Sequence, residues 1–347
     1  MSEPVVSIEI DGKEWKHWTQ VELKRSVDNF STFRFTAPFD ASKPEFRKTF
    51  RPFSFQPVTI KLDGQGFFSG TLVSVEPKST AKSTSVIAAG YALPAVLADS
   101  TMPASSFPIE YGDHTLRQIA EALAAPFGIR VKIGDDTTDG PQFRRAAIKP
   151  TQKIGDFLGK LARARGMVMG DNAQGDLEFR VSARPGRPVV RFKEGEAPAT
   201  SVAATFSPQS YYSEITGLGR TKAGFRGSKY TEKNPHLPRA VRPLNFTVGD
   251  VNAGDLPGAT KAKMARMFGN MVAYVVQVPT WFDANGVVWE PNTTVTLTWP
   301  GVMVYSETDL LLRDVTIRAD ENSTTASLGL MLPGAFSSET PRRLPWD

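Results

Sequence analysis

Asp113 and His114 stand side by side in "YGDHTLRQIAEALAAPFGIRVKI", Tyr111 to Ile133, where a helical pattern begins. A histidine beside a carboxylate is a pairing that general acid–base catalysis can use. The chain has only three histidines, and His17 and His236 lie in other segments. No cysteine exists anywhere, and no serine sits in a nucleophile elbow. The pair also has a plainer use. Asp113 precedes Thr115 by two positions, where a short polar side chain can accept from the free N–H groups of a helix start. We therefore expect a structural helix entry, with Asp113 as its cap and His114 at or before the first turn.

"DDTTDG" is the second candidate. Asp135, Asp139 and Gly140 fit positions 1, 5 and 6 of a calcium loop, but position 12 falls on Ala146. That loop needs a bidentate glutamate there, so calcium is not expected. "GLGRTKAG" has Gly217 and Gly219 but lacks the rest of a phosphate-cradling or dinucleotide motif. No catalytic, cofactor-binding or metal-binding residue is expected, no cofactor is implied, and the chain is not expected to be an enzyme.

The elements around these residues explain more. At 347 residues the chain suggests two or three domains, and 40% hydrophobic against 22% charged residues fits a folded protein. The N-terminus runs as a strand into the Asp11–Gly12 turn, with no signal-peptide pattern. The longest apolar run, "MVAYVVQV" from Met271, is far too short to span a bilayer.

Residues 1–98 read as β-strands, with Asp63–Gly64 as a hairpin signal. Residues 99–205 read as a small α+β insert with two helix-then-strand units. Leu116, Ile119, Ala120 and Leu123 share one helical face, and Ile154, Phe157, Leu158 and Leu161 another. Residues 206–335 read as β again, with a long polar loop over 221–258 and a helix over "ATKAKMARMFGNM". Residues 336–347 read as an exposed, flexible or partner-bound tail. Thr221–Gly258 is expected to be mobile until a neighbour orders it.

The net charge of +5 is uneven. Gln142–Lys193 carries 12 basic residues against 4 acids, and Ile215–Asn245 carries 7 against 1. Such stretches face solvent, an acidic protein neighbour or a nucleic acid. No zinc finger, RNA-binding aromatic signature or heptad-backed basic helix accompanies them.

Two passages match in layout. "PVTIKLDG", "FFSGTLVSVEP" and "STSVIAAGY" run parallel to "TVTLTWPG", "LLLRDVTIRAD" and "TTASLGLML". Each has a strand, a turn with glycine, a longer strand, a polar turn and a third strand. Val73 and Val75 are expected to match Val315 and Ile317. The pattern reads as two like β-domains around the insert.

"AAGYALPAVLADSTM", the two helix units, "LPRAVRPL" and "ANGVVWEPNTTVTLTWPG" through "STTASLGLMLPGAF" resemble, in that order, the Mu-like phage baseplate hub proteins. That family is related to other contractile-tail hubs and to the front part of type VI secretion spike proteins. The resemblance implies a mainly β fold: two tail-tube-like β-barrel or sandwich domains flanking a small α+β domain. It implies a structural hub joining a hexameric tail tube to a trimeric membrane-puncturing spike. The implied partners are two more copies in a homotrimer, the trimeric spike, a tail tube or distal tube protein, the tape measure protein and other baseplate proteins. Phage DNA would meet the chain only in passing through a channel, and the chain would not insert into membrane. The implied location is the virion tail baseplate, assembled in the host cytoplasm. Two readings from other classes stay open: a nucleic-acid-binding protein using its basic segments, and a carbohydrate enzyme acting on the cell wall.

Overall fold

The computed structural model describes residues 5–134, 137–181, 187–219, 228–248, 256–320, 323–336 and 339–347. Among the described residues the fold is mainly β, with 43% strand and 19% helix, which agrees with the expected class of a β protein carrying an α+β insert.

The first β-unit holds β1 (Val6–Ile10), β2 (Lys13–Trp15), β3 (Gln20–Ser26), β4 (Thr32–Pro38), α1 (Pro44–Thr49), β5 (Pro57–Leu62), β6 (Gln65–Ser79) and β7 (Thr84–Ala92). Its strands alternate buried and exposed positions, as in "VSIEI" of β1, because one face packs on the core. Asp63 and Gly64 both take positive φ in the β5–β6 turn, as a primed hairpin requires.

The insert follows with α2 (Val96–Asp99), β8 (Glu110–Tyr111), α3 (Leu116–Ala124), β9 (Val131–Ile133), β10 (Ala146–Ala147), α4 (Ile154–Ala164), β11 (Val168–Asp171) and β12 (Leu177–Arg180). The helical faces read from the sequence are the buried ones: Leu116, Ile119 and Leu123 on α3, and Ile154, Leu158 and Leu161 on α4. They form a core of their own over the three-stranded sheet β11-β12-β9. A Cβ on Gly155 would lie 2.9 Å from the Ala98 backbone, so only glycine lets α4 press this closely on α2.

The second β-unit holds β13 (Val190–Lys193), β14 (Ser201–Phe206), β15 (Glu214–Gly219), β16 (Lys229–Lys233), β17 (Pro243–Val248), α5 (Leu256–Met271), β18 (Val272–Val278), β19 (Thr294–Trp299), β20 (Val304–Asp320) and β21 (Thr324–Met331). Sequence reading placed 190–205 in the insert. Instead β13 pairs with β19, and β14 pairs with β18. Residues 221–258 are also not one loop. Residues 220–227 and 249–255 lie outside the described residues, but between them β16 and β17 flank β15 in a three-stranded sheet, and α5 begins at Leu256. The stretch expected to be mobile therefore includes two paired strands. The tail likewise packs: Leu344 is buried, and Trp346 lies edge-on to Phe206 at 5.3 Å.

Among the described residues, strands of both β-units other than β15–β17 join in one 13-stranded sheet, over one apolar core running from Ile8 and Phe35 to Trp281, Leu297 and Leu328.

Candidate functional site: the repeat junction and its edges

Thr115, not Asp113, caps α3. Its hydroxyl accepts from the Gln118 N–H, and the Gln118 side chain accepts from the Thr115 N–H. This is a capping box, and "T-L-R-Q" was its signal. Asp113 sits before it with φ of 53°. The His114 Nδ1 meets the Gly112 carbonyl, and its ring lies edge-on to Tyr111. In these contacts neither residue meets a serine, a second carboxylate or a second histidine. The Trp15 indole donates to the His17 carbonyl, and the His236 ring meets the Pro341 carbonyl, so the three histidines remain in separate places. Asp135 lies outside the described residues. Asp139 accepts from Arg117 and from the Thr115 hydroxyl. Among the described residues no cluster of three metal-ligating side chains occurs.

Charge concentrates instead where insert and β-units meet. Asp171 is buried and accepts from the Ser31 backbone N–H at 2.6 Å. Burial pushes its carboxyl above the usual range, against the pull of Ser31 and the Arg25 and Arg180 charges. Burial likewise raises Glu178 and lowers Arg180, which pair at 3.3 Å. Arg25 of the first unit pairs with Glu290 of the second, and Arg313 forks onto Asp28. Removing one of the sheltered charges Arg25, Asp171, Glu178 or Arg180 leaves its neighbours uncompensated, so these four hold the insert against the first β-unit, while the half-exposed Glu290 and Arg313–Asp28 contacts add less. A cavity of about 370 Å³, bordered by Asp28, Arg163 and Arg266, lies beside it. Several side chains of the basic segments are neutralised locally: Arg145 by Glu110 and Lys193 by Glu196. Arg242 donates to the carbonyls of Pro208, Gln209 and Tyr211.

The repeat is the feature with an unfinished geometry. Across the first unit the strand order is β3-β4-β7-β6-β5-β1. Across the second it is β14-β18-β21-β20-β19-β13. Corresponding strands follow each other in the same order along the chain. Val58 and Val295 hold like places in β5 and β19, as the sequence match implied. Each long strand carries a bulge at the same point, between Leu72 and Ser74 in β6 and between Leu312 and Asp314 in β20. Aligning the bulges sets Val75 against Val315 and Pro77 against Ile317, two residues away from the sequence expectation for Val73 and Val75. Even a side-chain contact recurs. Thr19 N–H and hydroxyl both donate to the Thr36 carbonyl, and Thr200 N–H and hydroxyl both donate to the Gln277 carbonyl. One difference is real: β1 runs antiparallel to β5, whereas β13 runs parallel to β19.

The units join where the far half of β20 pairs antiparallel with β3, from Asp314 opposite Ser26 to Asp320 opposite Gln20. Val315, Ile317 and Ala319 are buried there, as are Val21 and Leu23. Arg318 donates to Glu22 across the joint at 2.8 Å. The counterparts are uncovered. Among the described residues the far half of β6 pairs only with β7, and β14 only with β18. Pro77, Lys78 and Ser79 are exposed, Val202 and Ala204 are half-buried, and Phe206 is 41% exposed. Sequence reading missed these edges, because "SVAATF" signals a strand without saying whether the strand has two neighbours.

Comparison with known proteins bears on the same architecture. Residues 94–181 match the family model for the second domain of gp44-like baseplate hub proteins. The baseplate hub protein gp44 of Escherichia phage Mu is 23% identical over 324 residues, 90% of this chain and 83% of that protein. The 43 kDa tail protein of prophage MuSo2 from Shewanella oneidensis shares the fold with a TM-score of 0.82 at 21% identity, over 96% of this chain and 99% of that one. The E. coli c3393 protein, described as a type VI secretion component structurally similar to the T4 tail proteins gp27 and gp5, aligns with a TM-score of 0.56 at 11% identity, over 96% of this chain and 79% of that one. The chain thus resembles Mu-like baseplate hub proteins, as its sequence implied.

Proposed function

We propose that this chain is a structural baseplate hub of a contractile phage tail or related injection particle, and that it acts by assembly rather than by catalysis. The observation that carries the reading is the repeat: two like β-units joined side by side in one chain. Three copies supply six such units around one axis, which matches a hexameric tube on one side and a trimeric spike on the other. In this reading the working units are the first β-unit, the insert centred on 94–181, and a second β-unit that includes β13 and β14. The β-units surround a channel that DNA crosses, and the insert meets other baseplate proteins through its exposed basic side chains. The tape measure protein, tube and spike are the remaining partners. Assembly takes place in the host cytoplasm before the hub enters the virion.

Reconstruction of the assembled particle tests this. Three copies in one ring between tube and spike are expected. Six copies of this chain in that ring, or a location away from the tube axis, would overturn it. Arg180, sheltered against Glu178, is withdrawn from any nucleic-acid surface, whereas Arg145 and Lys193, though paired with acids, stay exposed.

A further inference from the structure

We infer that β14 of one copy pairs antiparallel with the far half of β6 of the next copy, in the register that β3 and β20 use inside the chain. The inference rests on the three-copy reading above and adds the strands and residues that make the contact.

The argument is one of repeated edges. Each β-unit has a left edge, β3 or β14, and a right edge, the far half of β6 or of β20. Inside the chain one left edge meets one right edge, β3 on β20. That leaves one of each kind, and they are complementary because their counterparts already fit. Strand edges with unmet N–H and C=O groups are templates for pairing with another chain.

The backbone directions agree. Ser207 N–H donates to Met271 within the pair β14·β18, so by alternation the groups of Val202, Ala204 and Phe206 point away from β18. Thr80 N–H donates to Ser83, as Asp320 N–H does to Ser323, so the groups of Pro77 and Ser79 point away from β7. Carrying the internal register across places Ala204 opposite Pro77 and Ala203 opposite Lys78. Pro77 offers no N–H, so the ladder lacks one bond there, while its carbonyl still accepts from Ala204. The apolar faces agree as well. Val202 and Ala204 already lean on the shared core, and the partner strand would cover them as β20 covers Val21 and Leu23. Left and right edges differ, so the contact is head to tail and must close into a ring or extend.

The chain has no cysteine, so engineered thiols have no background. Ala203 and Lys78 take the places of Glu22 and Arg318, whose side chains meet. The double variant Lys78→Cys, Ala203→Cys is therefore expected to oxidise to a covalent trimer on a non-reducing gel. The out-of-register pairs Lys78→Cys with Ser201→Cys, or with Thr205→Cys, are expected to link roughly tenfold more slowly. All these positions are exposed, so folding is not at issue. Sedimentation runs alongside. A trimer that fails to cross-link, or links faster out of register, overturns this pairing and leaves the trimeric hub standing. Cross-links that run past trimer support the pairing and overturn three-copy closure. A monomer at every concentration overturns both. As a second variant, Ala204→Pro removes an N–H that points away from β18 and has no partner among the described residues. It is expected to weaken association about tenfold or more with unchanged circular dichroism, and unchanged association would count against the pairing.

Discussion

The far halves of β6 and β20 are one structural element made twice, and they differ because one has its neighbour in the same chain. On β20 the inward positions are Val315, Ile317 and Ala319, all buried under β3. On β6 the same positions are Val75, Pro77 and Ser79, half-buried or exposed. A permanently covered edge can be apolar. An edge bare in the free chain carries a proline and a lysine, which discourage indiscriminate strand pairing. The repeat has diverged where the two copies meet different surroundings, and kept its bulges and threonine contacts where they do not.

The largest expected effect breaks this contrast at its centre. Ile317→Asp places an unpaired carboxylate in the core and should cost about 4 kcal/mol or more, enough to unfold the chain. Pro77→Asp, its counterpart, should change stability by no more than about 0.5 kcal/mol. Urea titration of both checks this, and equal losses would mean the two edges are not in different states.

The next prediction sharpens the comparison inside the core. Gly90 and Leu330 are counterparts by the aligned bulges. A Cβ on Gly90 would lie 1.9 Å from the Thr71 carbonyl oxygen and 2.6 Å from the Phe33 ring. Gly90→Ala should cost about 1–3 kcal/mol by overpacking, whereas Leu330→Ala should cost about 2–5 kcal/mol by leaving a cavity. One place thus rejects a methyl group and the other demands a whole side chain. Thermal melts in which Gly90→Ala is neutral would show that the first copy can relax there.

Smaller is the ion pair across the joint. Both side chains are about half exposed, so Glu22→Ala should cost about 0.2–1 kcal/mol, less at high salt. Ala203→Glu gives Lys78 of the next copy the partner that Arg318 already has. It should tighten self-association by a few-fold at low salt, as read by sedimentation. The smallest effect lies outside both copies: His114→Ala should stay within about 0.5 kcal/mol of the parent, while Thr115→Ala loses about 1 kcal/mol with its cap. Asp113→Ala falls between them, at about 0.5–1 kcal/mol, because alanine takes the positive φ there less readily than aspartate. Equal melts for His114→Ala and Thr115→Ala would remove the capping box from the account.

The repeat was legible because "PVTIKL" and "TVTLTW" hold equivalent positions in β5 and β19, and the buried faces of α3 and α4 were legible from their 3.6-residue period. The two-residue slip at Val73 and Val75 was not avoidable from pattern alone. Strand side chains alternate with period two, so a shift by two keeps every inward residue inward. The bulges at Val73 and Arg313, which set the true alignment, leave no mark in hydrophobicity. The insert's end was misplaced for a related reason. "VRFK" and "SVAATF" look alike as strands whether they pair locally or with residues far downstream. The joint itself, and the edges left bare, depend on which strands lie side by side, and composition does not record that.

The Arg318–Glu22 contact spans 296 residues of sequence. During synthesis at about 5–20 residues per second, β3 leaves the ribosome roughly 15–60 s before its partner exists. For that interval Val21 and Leu23 stand at an open edge of a nascent chain. The N-terminal unit can gather its local hairpins early, but the joint closes only once β20 has emerged. High contact order of this kind makes folding slow, and a truncated product would display the left edge without its cover. A chain stopped before β20 would therefore present β3 as a second left edge beside β14.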